Sequence, residues 1–326
     1  TAVFFNPAGL ALISEGEFRL GTSAIFLSRE FAGAGPYPGA GVIEESPRKT
    51  FFPSHFFWGH RVASRFALGF GVYNPFGLTT EWENPESFTG RFISTKASIR
   101  PFYFNPAAAM AITPELRLGA GLMAVHSQLE LDRNVSRPNP LGGNPGVLDL
   151  GTVELDGDNG LDFGFNLGLQ FDVDRISLGL SYRSEVSVEY SGDADFTFMG
   201  SGTALDPQLV SLFPSDQGVL AEIRFPTVFV AAAAYRGEGW SVEADLGWTE
   251  WSSFDEILID FDDDDDLDET IEGNWDNAFF YRFGGEIALR PDLDLRLGYY
   301  YDETPQPTPA ISVLLPDQNR HGLSLG

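Results

Sequence analysis

Between Leu161 and Val173 the side chains alternate without a fault. Leu161, Phe163, Phe165, Leu167, Leu169, Phe171 and Val173 are apolar, and Asp162, Gly164, Asn166, Gly168, Gln170 and Asp172 between them are polar or glycine. A helix cannot use a period of two, whereas a strand with one apolar and one polar face can. The rhythm returns in Ile176–Tyr190, Trp240–Thr249 and Leu293–Asp302. It predicts eleven strands and the start of a twelfth, at about 16–28, 53–63, 66–76, 97–112, 115–131, 160–173, 175–190, 221–235, 239–250, 276–290, 293–303 and from 319 onward. The longest apolar run, Val228 to Tyr235, is far short of the roughly 20 residues a membrane helix needs.

Loop lengths discriminate further. Ala63-Ser64-Arg65, Thr113-Pro114, Asp174-Arg175, Arg236-Gly237-Glu238 and Arg290-Pro291-Asp292 are tight turns, and the connections between them, about 29–52, 77–96, 132–159, 191–220, 251–275 and 304–318, are long. Short turns at one end and long loops at the other are the mark of a transmembrane β-barrel. A soluble sandwich or propeller has no reason to sort its loops this way. The expected fold is all-β: a transmembrane antiparallel up-and-down β-barrel. Its uniformly apolar face suits lipid, and the face carrying Arg183, Glu185, Glu189, Glu243, Asp245 and Arg296 suits the interior. A soluble barrel with the reverse orientation gives the same alternation; loop parity and strand number weigh against it.

Composition excludes other classes. With 47 Asp+Glu against 20 Lys+Arg the formal net charge is −27, which is wrong for a sequence-independent nucleic-acid binder. Zero Cys excludes a disulfide scaffold, a thiolate metal site and a Cys nucleophile. A hydrophobic content of 43% with 14% aromatics is too high for a disordered chain. His55, His60, His126 and His321 are scattered, and no Gly-x-Ser-x-Gly elbow is present, so no enzyme is expected. No cofactor is implied, and no secretory leader is visible ahead of the first strand.

Several short motifs occur in a fixed order: Asn6-Pro7-Ala8-Gly9-Leu10-Ala11, Tyr73-Asn74-Pro75-Phe76-Gly77, Phe88-Thr89-Gly90-Arg91-Phe92, Asn105-Pro106-Ala107, Phe225-Pro226-Thr227, Glu250-Trp251-Ser252-Ser253-Phe254, Trp275-Asp276-Asn277, and Leu315-Pro316-Asp317-Gln318-Asn319-Arg320-His321. In this order and spacing the chain resembles, over nearly its whole length, the FadL/TodX family of outer-membrane channels for hydrophobic compounds. The resemblance implies a 14-stranded barrel, of which about 12 strands are covered here, plugged by an N-terminal hatch. Residues 1–12 then form the end of the hatch and 13–326 the barrel, in a monomer, and the sequence reads as part of a longer protein. It further implies passive uptake of long-chain fatty acids or aromatic hydrocarbons, in contact with outer-membrane lipid and lipopolysaccharide. A general porin and a structural or adhesive barrel are the alternatives.

The resemblance assigns candidate sites. Asn6, Pro7 and Ala8 match the hatch motif, whose Asn is expected to bond the wall near a kink in the third strand. Gly69, Gly71, Asn74, Pro75, Phe76 and Gly77 mark that strand, where Pro removes a ladder donor and Gly weakens pairing; the implied role is lateral release, and an ordinary strand end is the alternative. Apolar loop residues Leu141, Val147, Leu148, Phe196, Phe198, Met199, Leu205, Leu209, Leu212 and Phe213 are candidates for an outer ligand groove, or for mutual packing that caps the barrel; Asp206-Pro207 opens a short helix among them. Asp262, Asp264 and Asp266 lie in an acid run with hard oxygen ligands for Ca²⁺, but without the spacing of a binding loop, and solvation is the simpler reading. Arg100, Arg183 and Arg296 are the candidate partners for a charged ligand head.

Overall fold

The computed structural model describes residues 1–326 except 34, 36, 37, 141, 143–145 and 255. Its dominant feature is one antiparallel sheet of eighteen strands. They are β1 (Gly16–Thr22), β2 (Ser54–Ala63), β3 (Phe66–Tyr73), β4 (Leu78–Glu81), β5 (Lys96–Ala111), β6 (Leu116–Pro138), β7 (Val147–Asp158), β8 (Asp162–Val173), β9 (Ile176–Arg183), β10 (Val186–Phe198), β11 (Gln217–Phe225), β12 (Val228–Arg236), β13 (Trp240–Thr249), β14 (Glu256–Phe261), β15 (Glu269–Glu272), β16 (Ala278–Arg290), β17 (Leu293–Asp302) and β18 (Arg320–Leu325). Two small ribbons, Ile25–Leu27 with Lys49–Phe51 and Glu30–Ala32 with Ile43–Glu45, decorate the first long loop.

A lower tier of twelve strands runs in the order β1–β2–β3–β5–β6–β8–β9–β12–β13–β16–β17–β18. Every neighbour but the split pairs is also a neighbour in sequence, as an up-and-down barrel requires. Among the described residues β1 is in register with β2 and β18 with β17.

In this tier the apolar side chains look outward. Phe163 is 60% exposed, Leu178 47% and Trp240 45%, while Gly164, Asn166 and Ser177 of the same strands are buried. Aromatic rings mark both rims. Phe165, Tyr182, Phe229 and Trp248 form a lateral row across β8, β9, β12 and β13, with centroids 4.7–5.9 Å apart. Tyr235 and Trp240 pair at the turn end, 5.5 Å apart. Trp240 and Trp248 are separated along β13 by eight residues, about 27 Å of strand. At a tilt of about 40° that is roughly 20 Å of height, close to the apolar band of an outer-membrane barrel.

Above the belt the pattern inverts. The long strands break at 159–161, 184–185, 226–227 and 250–255, and β7, β10, β11, β14 and β15 continue as an upper tier beyond the loop-side rim. At the 184–185 break the face shifts by one residue. Ser177, Gly179, Ser181 and Arg183 face the lumen below it, and Val186, Val188 and Tyr190 are buried there above it. The expectation that Glu185 and Glu189 line the interior is therefore corrected: both are exposed on the outer face. The register is kept across the break, with Arg183 opposite Val228 below it and Val186 opposite Phe225 above it, so neighbouring strands reverse their facing together. The upper tier rises into water, so charge belongs outside it and apolar residues inside. Much of the expected long loops at 132–159, 191–220 and 251–275 is thus sheet rather than irregular chain.

Candidate functional site: the lumen and its plug

The N-terminal segment lies inside the lower tier as a short helix, α1 (Ala2–Phe5), followed by a 3₁₀ turn, Pro7–Leu12. Asn6 joins them: its Oδ1 accepts from the Ala8 N–H at 3.0 Å, and its Nδ2 donates to the Leu169 and Leu180 carbonyls at 3.0 and 3.2 Å. Those carbonyls belong to β8 and β9. The expected contact near the third-strand interruption is therefore corrected to the β8–β9 wall. Glycines make this approach possible. A Cβ at Gly168 would stand 2.1 Å from Asn6 Oδ1, and one at Gly119 would stand 2.3 Å from the Pro7 carbonyl carbon. A side chain at either position would push the segment off the wall.

The segment does reach β3, through apolar contacts. Val3 and Leu10 are buried against Gly69, and Phe4 meets Tyr73 edge-on with centroids 4.9 Å apart. Gly69 and Gly71 pair in unbroken register with both β2 and β5. The strand is interrupted later, at 74–77, between β3 and β4; there Asn74 Nδ2 donates to the Pro101 carbonyl at 2.7 Å, and the register to β5 slips by one residue. A buried polar chain fastens the segment further. Tyr73 donates to Asn105 Oδ1 at 2.9 Å, Asn105 bonds Asn166, and Asn166 Nδ2 donates to the Val3 carbonyl at 2.9 Å. Arg183 donates to the Phe4 carbonyl at 3.0 Å and lies 4.4 Å from the centre of the Phe4 ring.

A series of cavities runs from the loops to this plug. An outer one of about 180 Å³ is bordered by Ile93, Arg133, Glu269, Ile271 and Leu314, with Arg133 and Glu269 paired at 2.6 Å. Beside it a narrow void of about 40 Å³ is lined mainly by apolar residues, Ile99, Leu131, Leu155, Val219, Ile257 and Ile259 among them, with Glu130 and Asp156 at its border. Below lies a larger cavity of about 340 Å³ walled by Phe76, Phe225, Trp251, Phe254, Trp275 and Phe280, with Arg282, Asp302, Glu303, Asp317 and Arg320 also on its border. The last, of about 140 Å³, sits on the plug between Phe4, Phe5 and Phe76 and shares Phe76, Thr249, Phe280 and Arg282 with the cavity above. Phe76 stacks on Phe225 at 5.5 Å, so the interruption at 74–77 places this ring at the junction of the two lower spaces. A separate depression of about 810 Å³ is bounded mainly by outward residues such as Leu118, Leu180 and Leu246 and belongs to the lipid-facing surface.

The predicted loop residues come together in part. Phe213 packs on Phe198 and Phe196 with centroids 5.1 and 6.2 Å apart, and Leu148 is buried nearby at the start of β7. Val147, Leu205 and Leu209 are half-buried, Met199 and Leu212 are exposed, and Leu141 lies outside the described residues. Helix α2 (Asp206–Leu209) is opened by Asp206, whose carboxylate accepts from Ser201 and Gly202 and is held below its usual range by the Ser201 bonds. Asp262, Asp264 and Asp266 do not converge: no group of three metal-ligating side chains occurs among the described residues. Arg100 faces outward and pairs with Glu130, and Arg296 pairs with Glu286 and Asp294.

Sequence reasoning missed two parts of the lumen. The loop 304–318 tucks Leu314 and Leu315 into the top of the barrel, fixed by Gln306 to the Leu315 carbonyl at 2.6 Å and by Trp82 to the Val313 carbonyl at 3.0 Å. An apolar triple inside a loop was the available signal. The Trp251–Phe254–Trp275 cluster, with centroids 4.6–6.2 Å apart, joins two motifs far apart in sequence, whose contact alternation alone does not signal.

The family described as "Outer membrane protein transport protein (OMPP1/FadL/TodX)" matches residues 1–326. The chain is 26% identical to a putative outer membrane protein of Neisseria meningitidis, covering 100% of this chain and 76% of that one. It is 22% identical to the long-chain fatty acid transport protein of Escherichia coli K12, covering 98% and 76%. In fold it is similar to a Pseudomonas aeruginosa FadL homologue, with a TM-score of 0.82 at 20% identity over 99% of this chain and 80% of that one. The Pseudomonas putida toluene transporter TodX superposes with a TM-score of 0.74 at 16% identity, covering 100% and 83%.

Proposed function

Because the chain belongs to the OMPP1/FadL/TodX family of outer-membrane transport proteins, we propose that it is a passive channel for the uptake of hydrophobic small molecules, fatty acids or aromatic hydrocarbons, across that membrane. The observation that carries the reading is the inverted upper tier, a mainly apolar lumen above a cavity rich in aromatic rings, inside a wall that is uniformly apolar outside in the belt and carries charge outside above it. A porin that conducts ions has no use for the narrow, mainly apolar void of about 40 Å³ at the top of this path.

Capture takes place on the loop patch around Phe196, Phe198 and Phe213, with Val147, Leu148, Met199, Leu205, Leu209 and Leu212 beside it. Cargo then moves into the cavities below, gaining about 0.8 kcal/mol for each CH₂ taken out of water. Exit is sideways at 74–77, where the β3 ladder is interrupted and Phe76 is the movable ring. The plug motif Asn6, Pro7 and Ala8 blocks the direct path to the turn end, and Gly69 and Gly71 give the plug its seat on β3.

The test is uptake of radiolabelled oleate and of toluene by a host lacking its own transporters of these compounds. Ala278→Trp fills the aromatic cavity from a buried position, while Ala244→Trp adds the same ring to the lipid face of the neighbouring strand. Uptake is expected to fall at least tenfold in the first and stay within twofold in the second. Equal uptake by both, in barrels that keep their heat-modifiable migration, would refute the route.

A further inference from the structure

The path from the loops to the plug narrows at one place. The outer cavity of about 180 Å³ and the aromatic cavity of about 340 Å³ share three side chains, Phe254, Trp275 and Leu315. The void of about 40 Å³ also borders Leu315, with Leu314 beside it. A cavity that holds one benzene ring measures about 150 Å³, so a cargo of that size does not pass while these side chains stay in place. Two of the three shared residues are braced. Phe254 and Trp275 lie 4.6 Å apart, and Trp251 packs on both, at 6.2 and 5.1 Å. Leu315 is held differently. It belongs to the 304–318 connection between β17 and β18, whose regular structure is a single 3₁₀ turn, Thr308–Ala310.

The polar groups of this connection bond one another. Gln306 donates to the Leu315 carbonyl at 2.6 Å and accepts from the Asp317 N–H at 2.9 Å, and Thr304 donates to Asp317 at 2.9 Å. Among the described residues, the inner arm 311–315 takes one hydrogen bond from outside the connection, from Trp82 Nε1 to the Val313 carbonyl at 3.0 Å. Val313 packs there with Trp82 and Phe88, whose rings stack at 4.7 Å. Leu314 and Leu315, 5% and 6% exposed, belong instead to the core of the lumen. A segment that satisfies its own backbone groups leaves its seat without stranding them. The seat is lined by Ile99, Leu131, Leu155, Val219 and Ile257, which a hydrocarbon covers as a leucine does. We propose that residues 304–318 form the outer gate of the channel: Leu314 and Leu315 fill the cargo's path as a built-in occupant, an apolar cargo displaces them, and Trp82 is the latch. The inference rests on the channel reading above and adds the step that controls entry. A polar solute cannot take the place of two leucines, so the gate stays shut to it.

The experiment locks the arm in its seat. The chain has no Cys, and a Cβ at Gly90 would stand 3.0 Å from Val313 Cγ2, within reach of a disulfide. The Phe88 ring, 2.7 Å from that Cβ, has to tilt, in both redox forms alike. Gly90→Cys combined with Val313→Cys is expressed in the host used above, and uptake of radiolabelled oleate and toluene is measured before and after dithiothreitol. A mobility shift reports the disulfide, and wild type controls for the reductant itself. The oxidised form is expected to take up both compounds at least tenfold more slowly than the reduced form. Equal uptake by the two forms, with the bond present, would overturn the gate and leave the channel reading standing. Absence of uptake by wild type would overturn both. Trp82→Phe tests the latch without new thiols, since it keeps a ring and removes the donor to Val313. Uptake should rise about two- to tenfold, the scale of one neutral hydrogen bond. An unchanged rate would overturn the gate even where the double variant fails to fold or to form its bond.

Discussion

Removing the Asn6 side chain tests how the plug is held. Asn6→Ala deletes two donations to the wall, at 3.0 and 3.2 Å, and the cap on the Ala8 N–H at 3.0 Å. Each bond contributes about 1 kcal/mol net, and loss of a cap typically costs about 1 kcal/mol. The sum is about 2–3 kcal/mol, provided the wall carbonyls find water once the amide is gone. At 1.4 kcal/mol per decade, the population with the plug detached rises about 30- to 100-fold. The chain has no Cys, so one introduced thiol is a clean reporter. Leu10→Cys places it at a site only 2% exposed in the seated plug. Its modification by a maleimide in the regime of fast opening and closing follows the detached population. The rate should rise by the same 30- to 100-fold when Asn6→Ala is added. A change below threefold would mean that Val3 and Leu10 seat the plug by packing alone, and the hydrogen-bond account would fail.

Three further outcomes follow from the same coordinates. Gly119→Val puts a side chain where the Cβ alone would stand 2.3 Å from Pro7, so it should raise Leu10→Cys labelling as much as Asn6→Ala or more, in a barrel that still forms. Asp132, on the outer face above the belt, has its carboxyl pushed up to about 6 by burial and by Glu154, Asp156 and Glu130, against the pull of Lys96. In the folded state it binds a proton that the unfolded state releases near 3.8, so its contribution to stability is lost as pH rises to about 6 and stays lost above that. Asp132→Asn should therefore stabilise the barrel by about 1 kcal/mol at pH 8, after discounting for solvent screening, and by nothing near pH 4, as read by urea unfolding at the two values. Leu314→Ala, which removes a buried side chain from the last loop, should cost about 2–4 kcal/mol in the same assay, whereas Leu212→Ala on the exposed loop should cost less than 0.5.

The belt was legible because lipid on one side and glycine or polar residues on the other enforce a period of two, and Leu161–Val173 records it directly. The order of the twelve lower strands followed from turns such as Asp174-Arg175, too short to connect anything but neighbours. What alternation does not carry is its own phase. From Ile176 to Tyr190 the apolar residues keep to even positions throughout, yet they face lipid up to Leu180 and the lumen from Val186. The break at Ser184–Glu185 makes the change, and nothing in the local composition distinguishes it from continued strand. Asn74-Pro75 announced its own interruption because Pro removes a donor. Pro226 does so too, in hindsight, between β11 and β12. The wall contacts of Asn6 were out of reach for another reason: they depend on Gly168, more than 160 residues away, and a glycine in an alternating strand reads only as a small inward residue.

The net charge of −27 has the same two-tier meaning. As a bulk property it speaks against an anionic cargo, since a like-charged surface repels one. The structure distributes the charge unevenly. Above the belt, Asp132 stands opposite Glu154 on the next strand and Glu154 opposite Asp195 on the one after, all on the outer face. Like charges directly across a ladder destabilise it, and such rows are tolerable only where water and ions screen them within about 10 Å. Inside, the upper tier is mainly apolar, and the cavity on the plug carries Arg183 and Arg282. A cargo that has passed the loops is shielded from the acidic exterior by the sheet. Beside the plug the cavity wall carries Arg282 and Arg320 together with Asp302, Glu303 and Asp317, so the charge it meets there is mixed. Net charge therefore describes the outside of this barrel, while the lining of the lumen, apolar above and mixed in charge near the plug, is averaged away in composition.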